Sequence, residues 1–271
     1  AGTVLLYSHN TFHRGNHRRD DWRTWPDNPR FMWRFWIYRT TDPVAADEPH
    51  EIDWQSLDTD PLTGISLADV DDDLTSVWRY HDYWIRTART PPPYSQTITL
   101  SPGKRRKEAG HLFERIHAKG EEAEPVRIGA AYRLASIGDT SIATEYLGRA
   151  LYTERESVRR AATYGLVAVG PDATETFLEA TSAPTKWVRK AGVYGLGDAS
   201  HLSDEVLRAV SECLCDDISV YVRSVAAGTL GCLGRRAVAT GIGELLIPAC
   251  FDALVQSLGR EENRLAMDRA Q

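Results

Sequence analysis

A repeat of about 32 residues runs through the second half of this 271-residue chain. The pair Val-Arg recurs at steps of 32, 30 and 34 residues, starting at Val126, Val158, Val188 and Val222. Counted from each Val, the fourth residue is small, the eighth is Leu and the eleventh is apolar. These spacings fall on one face of an α-helix. The residues are Ala130, Ala162, Gly192 and Ala226 at the fourth position, Leu134, Leu166, Leu196 and Leu230 at the eighth, and Ile137, Val169, Ala199 and Leu233 at the eleventh.

A second apolar helix is predicted before each of these helices. The four stretches are "HLFERIHAKG", "IATEYLGRAL", "ATETFLEAT" and "EVLRAVSECL". Gly138, Gly170 and Gly234 close three of the Val-Arg helices and are predicted to be left-handed C-caps. Two helices per repeat predict an α-solenoid. A fifth repeat begins with "IGELLIPACFDALVQSLG", and its second helix, "NRLAMDRAQ", is expected to be truncated.

The repeated arginines permit two interpretations. Arg127, Arg159, Arg189 and Arg223 each follow the Val of their repeat. We predict that they bind helix ends and carboxylates between repeats, since guanidinium groups pair well with both. The alternative is a row of arginines that binds a ligand.

The repeats resemble HEAT repeats of the short, PBS-lyase-like kind over residues 105–271. The resemblance implies a binding surface, with a protein partner or substrate on the concave face. A lyase acting on bilin chromophores is a third possibility that rests on this resemblance alone. Metalloenzymes of the deoxyhypusine hydroxylase type carry repeated His-Glu pairs, whereas the only His-Glu pair here, at residues 50–51, precedes the repeats.

The first half of the chain is aromatic and irregular. Seven of the eight Trp residues lie between Trp22 and Trp84. Two stretches, "AGTVLLYSH" and "RFMWRFWIYRT", have the β-branched residues or the alternation of strands. The loop between them contains "HRGN" at residues 13–16 and ends with Pro-Arg at residues 29–30.

This order of motifs resembles the C-terminal part of the phytanoyl-CoA dioxygenase family. The resemblance implies an oxygenase with Fe(II) and 2-oxoglutarate as cofactors, bound in a double-stranded β-helix. It makes His13 the distal iron ligand and Arg30 the anchor of 2-oxoglutarate, with Asn16 and Arg14 supporting the site. Large members join the oxygenase to HEAT repeats through a Trp-rich segment, which "SVWRYHDYWIRT" at residues 76–87 resembles.

Two departures from the family pattern leave alternatives open. The loop between His13 and Arg30 is long, so Arg34 or Arg39 could be the anchor instead. The twelve residues before His13 contain no proximal His-x-Asp. We therefore expect the chain to begin inside the oxygenase barrel and to be inactive as this fragment. Without the family resemblance, His13 is an ordinary loop histidine.

The composition limits the classes of partner that the protein is expected to bind. The net charge of −6 and the apolar fraction of 42% favour neither nucleic acid nor membrane as a partner, and no apolar run is long enough for a span. The four Cys lie in helical patterns and are predicted to be buried thiols of a cytoplasmic protein. The basic run Lys104–Lys107 is expected to be a solvated face. The acidic run "DVDDDL" is expected to begin a helix over Leu74–Thr87.

The sequence thus predicts a mainly α fold in three parts. Residues 1–45 are a short β remnant of the oxygenase domain, residues 46–104 a Trp-rich connecting segment and linker, and residues 105–271 HEAT-like repeats. The predicted function is part of an Fe(II)/2-oxoglutarate oxygenase with a repeat domain for interaction. The alternative is a non-catalytic scaffold for protein–protein interaction.

Overall fold

A computed structural model describes residues 70–87, 101–120 and 123–262, together with the single positions Ala45, Thr59 and Ser66. The chain divides into two compact units, Ala1–Asp42 and Pro43–Gln271, and every described residue belongs to the second. Thr59 and Ser66 form an isolated antiparallel β-bridge, and the described residues contain no β-strand. The predicted β remnant lies outside the described residues except for Ala45, which belongs to no regular element.

The described residues form ten α-helices. They are α1 (Asp72–Thr87), α2 (Pro102–Ile116), α3 (Glu124–Ala135), α4 (Thr140–Leu151), α5 (Glu156–Val169), α6 (Thr174–Thr181), α7 (Lys186–Ala199), α8 (Asp204–Asp216), α9 (Val220–Ala239) and α10 (Gly243–Leu258). A short 3-10 turn, Gly170–Ala173, leads into α6. Pro102 and the lysine run after it lie in α2, so the predicted linker ends three residues earlier than expected, and Lys104 and Lys107 are exposed as predicted.

The helices pair and stack in two layers. The first helices of the repeats are α2, α4, α6, α8 and α10, and the second helices are α3, α5, α7 and α9. Each second helix packs on the first helix of its own repeat and on the second helices before and after it. The contacts between successive second helices are more extensive than those between successive first helices. We therefore call the layer of second helices the inner layer, since a double layer curves towards its more closely packed side.

The core between the two layers is built from the repeated positions that the sequence predicts. The four leucines at the eighth position of each repeat are completely buried. The small residues at the fourth position are also buried, which lets neighbouring helices approach closely. At Gly192 a β-carbon would lie 2.8 Å from both the Cβ of Ala180 and the carbonyl oxygen of Phe177. A side chain there would force α6 and α7 apart.

Of the three predicted glycine C-caps, Gly170 is the C-cap of α5, whereas Gly138 lies two residues beyond Ser136, the C-cap of α3. Gly138 and Gly170 adopt positive φ angles of 77° and 85°, which glycine tolerates without steric cost. The prediction for Gly234 is wrong, because α9 continues through it to Ala239, and Gly241 takes the positive φ instead. The extension has a physical reason. Arg236 in the last turn of α9 donates to the carbonyls of Gly197 and Ser200 at the end of α7.

Helix α1 occupies the place of an additional inner helix before α3. Val77 of α1 is buried in the core, and Gly129 of α3 lies so close to the carbonyl of Asp73 that no β-carbon would fit between them. The carboxylate of Asp73 is completely buried between two arginines, with Arg115 Nε at 2.5 Å and Arg133 Nη1 at 2.9 Å. The helix predicted over Leu74–Thr87 is confirmed, and it begins two residues earlier, at Asp72.

Candidate functional site

Each second helix carries one stripe of side chains on the face opposite its repeated Val and Leu positions, and in α3 this face is covered by α1. Counted from the repeated Val, the stripe consists of the residue just before it and the residues two, six and ten positions after it. These positions fall within one face of a helix with 3.6 residues per turn. We call these positions the inner stripe. In α7 they are Trp187, Lys190, Tyr194 and Asp198, of which three are exposed and Lys190 is partly exposed.

Tyrosines occupy the sixth position in three successive repeats. Tyr132, Tyr164 and Tyr194 lie on α3, α5 and α7, and their exposure rises along the row from 7% at Tyr132 to 42% at Tyr194. Tyr80 of α1 extends the row, since its ring stacks on Tyr132 with the centroids 4.1 Å apart and the planes 9° from parallel. His81 meets the ring of Tyr132 edge-on. The inner stripe is therefore aromatic along four helices.

The environment of these tyrosines keeps them protonated. Burial, reinforced by the neighbouring Tyr80 and Tyr164, raises the pKa of Tyr132 far above its ordinary value. Burial also raises the pKa of Tyr164, although the charge of Arg160 opposes the shift. Desolvation of the Tyr194 hydroxyl, with the charge and hydrogen bond of Asp198, raises the pKa of Tyr194. All three hydroxyls are hence neutral hydrogen-bond donors at neutral pH.

The one charged residue of the inner stripe in the second repeat, Arg160, is paired with carboxylates beside the stripe. Arg160 Nη2 lies 2.5 Å from Glu124 Oε1 and its Nη1 lies 3.4 Å from Glu156 Oε1. Burial would raise the pKa of Glu124, but its bonds to Arg127 and Arg160 hold it below the ordinary value. The surface over α3 and α5 is thus neutralised by the chain itself.

The third and fourth repeats carry a different group of side chains, Lys186, Trp187, Lys190 and Tyr221, which we call the Trp187 cluster. The rings of Trp187 and Tyr221 lie 5.5 Å apart at 36°, and both residues are more than 40% exposed. The Nζ atom of Lys186 lies 4.9 Å from the Trp187 ring centre and 5.2 Å from that of Tyr221. Lys190 Nζ lies 5.9 Å from the Trp187 ring centre. These are cation–π distances.

The repeated arginines are structural. In all four repeats the Nη1 atom donates to carbonyls of the loop that precedes the helix: Arg127 to Ala118 and Gly120, Arg159 to Thr153 and Glu154, Arg189 to Ala183 and Pro184, and Arg223 to Asp217. Arg189 and Arg223 also bind Asp217 and Glu261 of the following repeat. The predicted bond to a helix end is confirmed for Arg223, whose acceptor is the C-cap of α8, whereas the other three arginines bind loop carbonyls just beyond the C-cap. The predicted bonds to carboxylates between repeats are confirmed for Arg189 and Arg223.

A shallow cleft of about 230 Å³ lies where α8, α9 and α10 meet. Its polar lining includes Arg223, Glu261 and Arg260. Arg223 and Glu261 already bind each other, with Nε at 2.6 Å from Oε2. The Arg223–Glu261 pair therefore joins the fifth repeat to the fourth, and the inner stripe is the better candidate for a binding site.

The residues predicted to form an iron and 2-oxoglutarate site lie outside the described residues. They are His13, Arg14, Asn16, Arg30 and Arg39. Among the residues that the structure describes, no three His, Cys, Asp or Glu side chains lie close enough together to hold a metal ion. The helices of this part are too short or too polar to cross a membrane.

The four cysteines are free thiols in helices, as predicted. Cys213 and Cys250 are buried, whereas Cys215 and Cys232 are partly exposed, so the predicted burial holds for two of the four. Burial raises the pKa of Cys213 to about 11, which leaves it unreactive at neutral pH.

The sequence analysis missed the tyrosine row and the Trp187 cluster. The signal for the row was present, because Tyr132, Tyr164 and Tyr194 occupy the same position of three aligned repeats. A single aligned position does not show whether a tyrosine faces the core or the solvent. The Trp187 cluster combines residues from two repeats. Its residues are not conserved between the repeats, so aligning the repeats does not reveal them.

Two stacked layers of paired helices, joined by repeated arginine bonds, define a helical-repeat protein of the α-solenoid class. No protein-family model matches the chain, and no curated protein matches it. Among solved structures it is similar to a designed armadillo repeat protein, YIII(Dq.V1)4CPAF, in complex with the peptide (KR)4, with 17% sequence identity and a TM-score of 0.34. The likeness covers 65% of this chain and 87% of that one. The fold is assigned from the helix packing above.

Proposed function

We propose that this protein is an interaction scaffold that binds an extended segment of a partner protein along the inner stripe. The observation that carries the proposal is the exposure of aromatic rings on this stripe, 42% for Tyr194 and for Trp187 and 44% for Tyr221. Stacked helical repeats create long surfaces of this kind. Tyr and Trp are the side chains that most often dominate the binding energy of interfaces.

The repeated arginine bonds support the proposal. Arg189 ties its own loop and the next repeat together through four hydrogen bonds of 2.6–3.0 Å, two of which also form its ion pair with Asp217. A layer held in this way keeps its surface side chains at fixed spacings. A rigid surface loses little conformational entropy on binding, so more of the contact energy appears as affinity.

The test is a peptide selection with a matched pair of variants. Peptides that the full chain retains from a random library are measured against the wild type, Tyr194→Ala and Tyr152→Ala. Tyr152 is a suitable control because it is 47% exposed and ends a first helix, α4, rather than lying on the inner stripe. We expect Tyr194→Ala to weaken binding at least about tenfold and Tyr152→Ala to leave it unchanged.

Two results would overturn the scaffold proposal. One is a set of selected peptides whose affinities are the same for Tyr194→Ala and for the wild type. The other is a selection that returns no peptide with measurable affinity for the full chain.

A second proposal rests on the sequence of residues 1–45. We propose that His13 is an iron(II) ligand of a phytanoyl-CoA dioxygenase-like oxygenase and that Arg30, or Arg39 in its place, anchors 2-oxoglutarate. The support is the order of the His-Arg-Gly-Asn and Pro-Arg motifs. The test is consumption of 2-oxoglutarate with iron(II) by the full-length protein. Loss of turnover in His13→Ala is expected, and turnover that His13→Ala leaves unchanged would exclude the role.

A further inference from the structure

The two aromatic residues of the Trp187 cluster lie at a position of the repeat that holds a different residue in each of the four repeats. The residue before the repeated Val is Pro125 in the first repeat, Ser157 in the second, Trp187 in the third and Tyr221 in the fourth. Trp187 and Tyr221 are not part of the core, since both are more than 40% exposed. An aromatic pair at two adjacent repeats therefore has no explanation in the packing of the solenoid.

The charges of the cluster are likewise not explained by the packing of the solenoid. In the second repeat, Glu156 and Arg160 stand four residues apart and attract each other across 3.4 Å. The equivalent positions of the third repeat are Lys186 and Lys190. Like charges four residues apart on a helix repel each other and destabilise it. Among the described residues, neither lysine has a carboxylate within ion-pair distance, so this part of the chain leaves both charges uncompensated.

We infer that the Trp187 cluster binds an acidic, extended segment of a partner protein, with an apolar side chain of that segment on the Trp187 and Tyr221 rings and two carboxylates on Lys186 and Lys190. The inference rests on the proposed function, because it assigns a partner chemistry to Trp187, Lys190 and Tyr221 of the inner stripe and to Lys186 beside it. Exposed aromatic rings supply the apolar contact and the two unpaired ammonium groups supply the charge complementarity.

The spacing of the lysines specifies the pattern of the segment. Four residues of α-helix advance by about 6 Å along the helix axis. Alternate residues of an extended peptide lie about 6.6–6.8 Å apart and point to the same side. Two acidic residues at alternate positions can hence reach Lys186 and Lys190 together. The apolar residue follows on the same side of the peptide, where it meets the rings.

The experiment uses the full chain and a short fluorescein-labelled peptide that carries two Glu at alternate positions followed by a Phe. The comparison peptides have Gln in place of both Glu, or Lys in place of both Glu. Fluorescence anisotropy should show that the Glu peptide binds about tenfold more tightly than the Gln peptide at low salt. Its affinity should fall as salt is added, because exposed charges are screened within about 10 Å at 0.1 M salt.

Three variants test the residues. Lys186→Gln combined with Lys190→Gln should reduce the affinity for the Glu peptide to that for the Gln peptide. Lys104→Gln combined with Lys107→Gln removes the same charge from exposed positions of α2 and should change nothing. Trp187→Ala should weaken the Glu and the Gln peptide alike, by at least about tenfold. Lys186→Glu combined with Lys190→Glu should reverse the preference in favour of the Lys peptide.

The outcomes separate this inference from the proposed function. Equal affinity for the Glu and Gln peptides, or an unchanged affinity in the Lys186→Gln and Lys190→Gln variant, overturns the acidic partner. The scaffold proposal still stands if selected peptides depend on Tyr194. Displacement of the Glu peptide by inorganic phosphate at similar concentration, with no effect of Trp187→Ala, would show that the lysines bind small anions, and this also overturns the inference.

Discussion

Arg189 holds Asp217 through two parallel hydrogen bonds, with Nε 2.6 Å from Oδ2 and Nη2 2.9 Å from Oδ1. The third nitrogen of the same guanidinium donates to the carbonyls of Ala183 and Pro184. One side chain therefore closes the loop of its own repeat and fastens the next repeat to it. Both partners are largely buried, since their side chains are 13% and 6% exposed.

Asp217→Ala should destabilise the solenoid by about 3 kcal/mol, because it leaves a largely buried guanidinium without its carboxylate. The backbone N–H of Ser219 also loses its acceptor at the start of α9. The midpoint of urea unfolding, followed by circular dichroism, measures the change. Asp216→Ala is the control, since Asp216 is the exposed neighbour. Equal midpoints for the two variants would contradict the assigned role of Asp217.

The same carboxylate makes stability depend on acid pH. Burial would raise the pKa of Asp217, but the hydrogen bonds from Arg189 and Ser219 and the charges of Arg189 and Arg223 hold it below its ordinary value of 3.8. A carboxyl group with a lowered pKa stabilises the folded state above its ordinary pKa and loses that contribution as pH falls through its folded pKa. The stability difference between wild type and Asp217→Ala should be complete at pH 7 and shrink below about pH 4. Urea midpoints at several pH values test this, and a constant difference would contradict it.

The regular part of this arrangement could be predicted from the sequence, because the repeat itself encodes it. The Val-Arg spacing predicts both the helix face and the role of Arg189. Contacts between distant parts of the chain could not be predicted. Asp73 meets Arg133 across 60 positions, and nothing in either local sequence indicates the partner. Gly234 misled the prediction of the α9 end, since the decisive bonds come from Arg236 to the end of α7.

The candidate site was harder to predict than the fold for a physical reason. Apolar periodicity reveals which side of a helix is buried, but an exposed Tyr194 and a buried Tyr132 occupy the same repeat position. The difference arises because α1 covers Tyr132, and that packing depends on a buried ion pair rather than on a pattern. In the sequence, Lys186 and Lys190 cannot be told from ordinary surface lysines. Only the structure shows that no carboxylate among the described residues pairs with them.

Asp73→Asn should loosen α1 from the inner layer. The buried carboxylate joins Arg115 and Arg133, and its loss costs about 3 kcal/mol locally. Amide hydrogen exchange within residues 72–87 should become roughly 100-fold faster. The matched control is Asp72→Asn, because Asp72 is exposed and lies one residue away. If both variants leave exchange in α1 as it is in the wild type, the carboxylate of Asp73 does not hold the helix.

Two glycine substitutions should have opposite effects. Gly195→Ala would place a methyl group within the ring of Phe177, so α6 and α7 must separate, and we expect a loss of about 1–3 kcal/mol. Gly110→Ala in α2 meets no atom within 4 Å and should stabilise the helix by up to about 1 kcal/mol. Thermal unfolding of both variants measures the difference. A stabilised Gly195→Ala variant would show that the two helices are not in close contact.

Alkaline pH should destabilise the protein through its tyrosines. Burial raises the pKa of Tyr132 above the ordinary value of 10.0, so the folded state favours the neutral phenol. Such a group contributes stability that is present below its ordinary pKa and is lost as pH rises towards its folded pKa. Stability should therefore fall above about pH 10, and Tyr132→Phe should reduce the slope. Unfolding midpoints across this range, with Tyr146→Phe as control, test the expectation. Identical slopes for both variants would exclude Tyr132 as the source.

The bonds of the repeated arginines to their own loops have a consequence for how such a chain can change over evolutionary time. Each of Arg127, Arg159, Arg189 and Arg223 ties down the turn inside its own helix pair. A duplicated helix pair would carry its own arginine-to-loop hydrogen bonds. Repeats could therefore be gained or lost without new contacts having to evolve at every junction between repeats. Residues such as Trp187, which these hydrogen bonds do not involve, are left free to diverge from copy to copy.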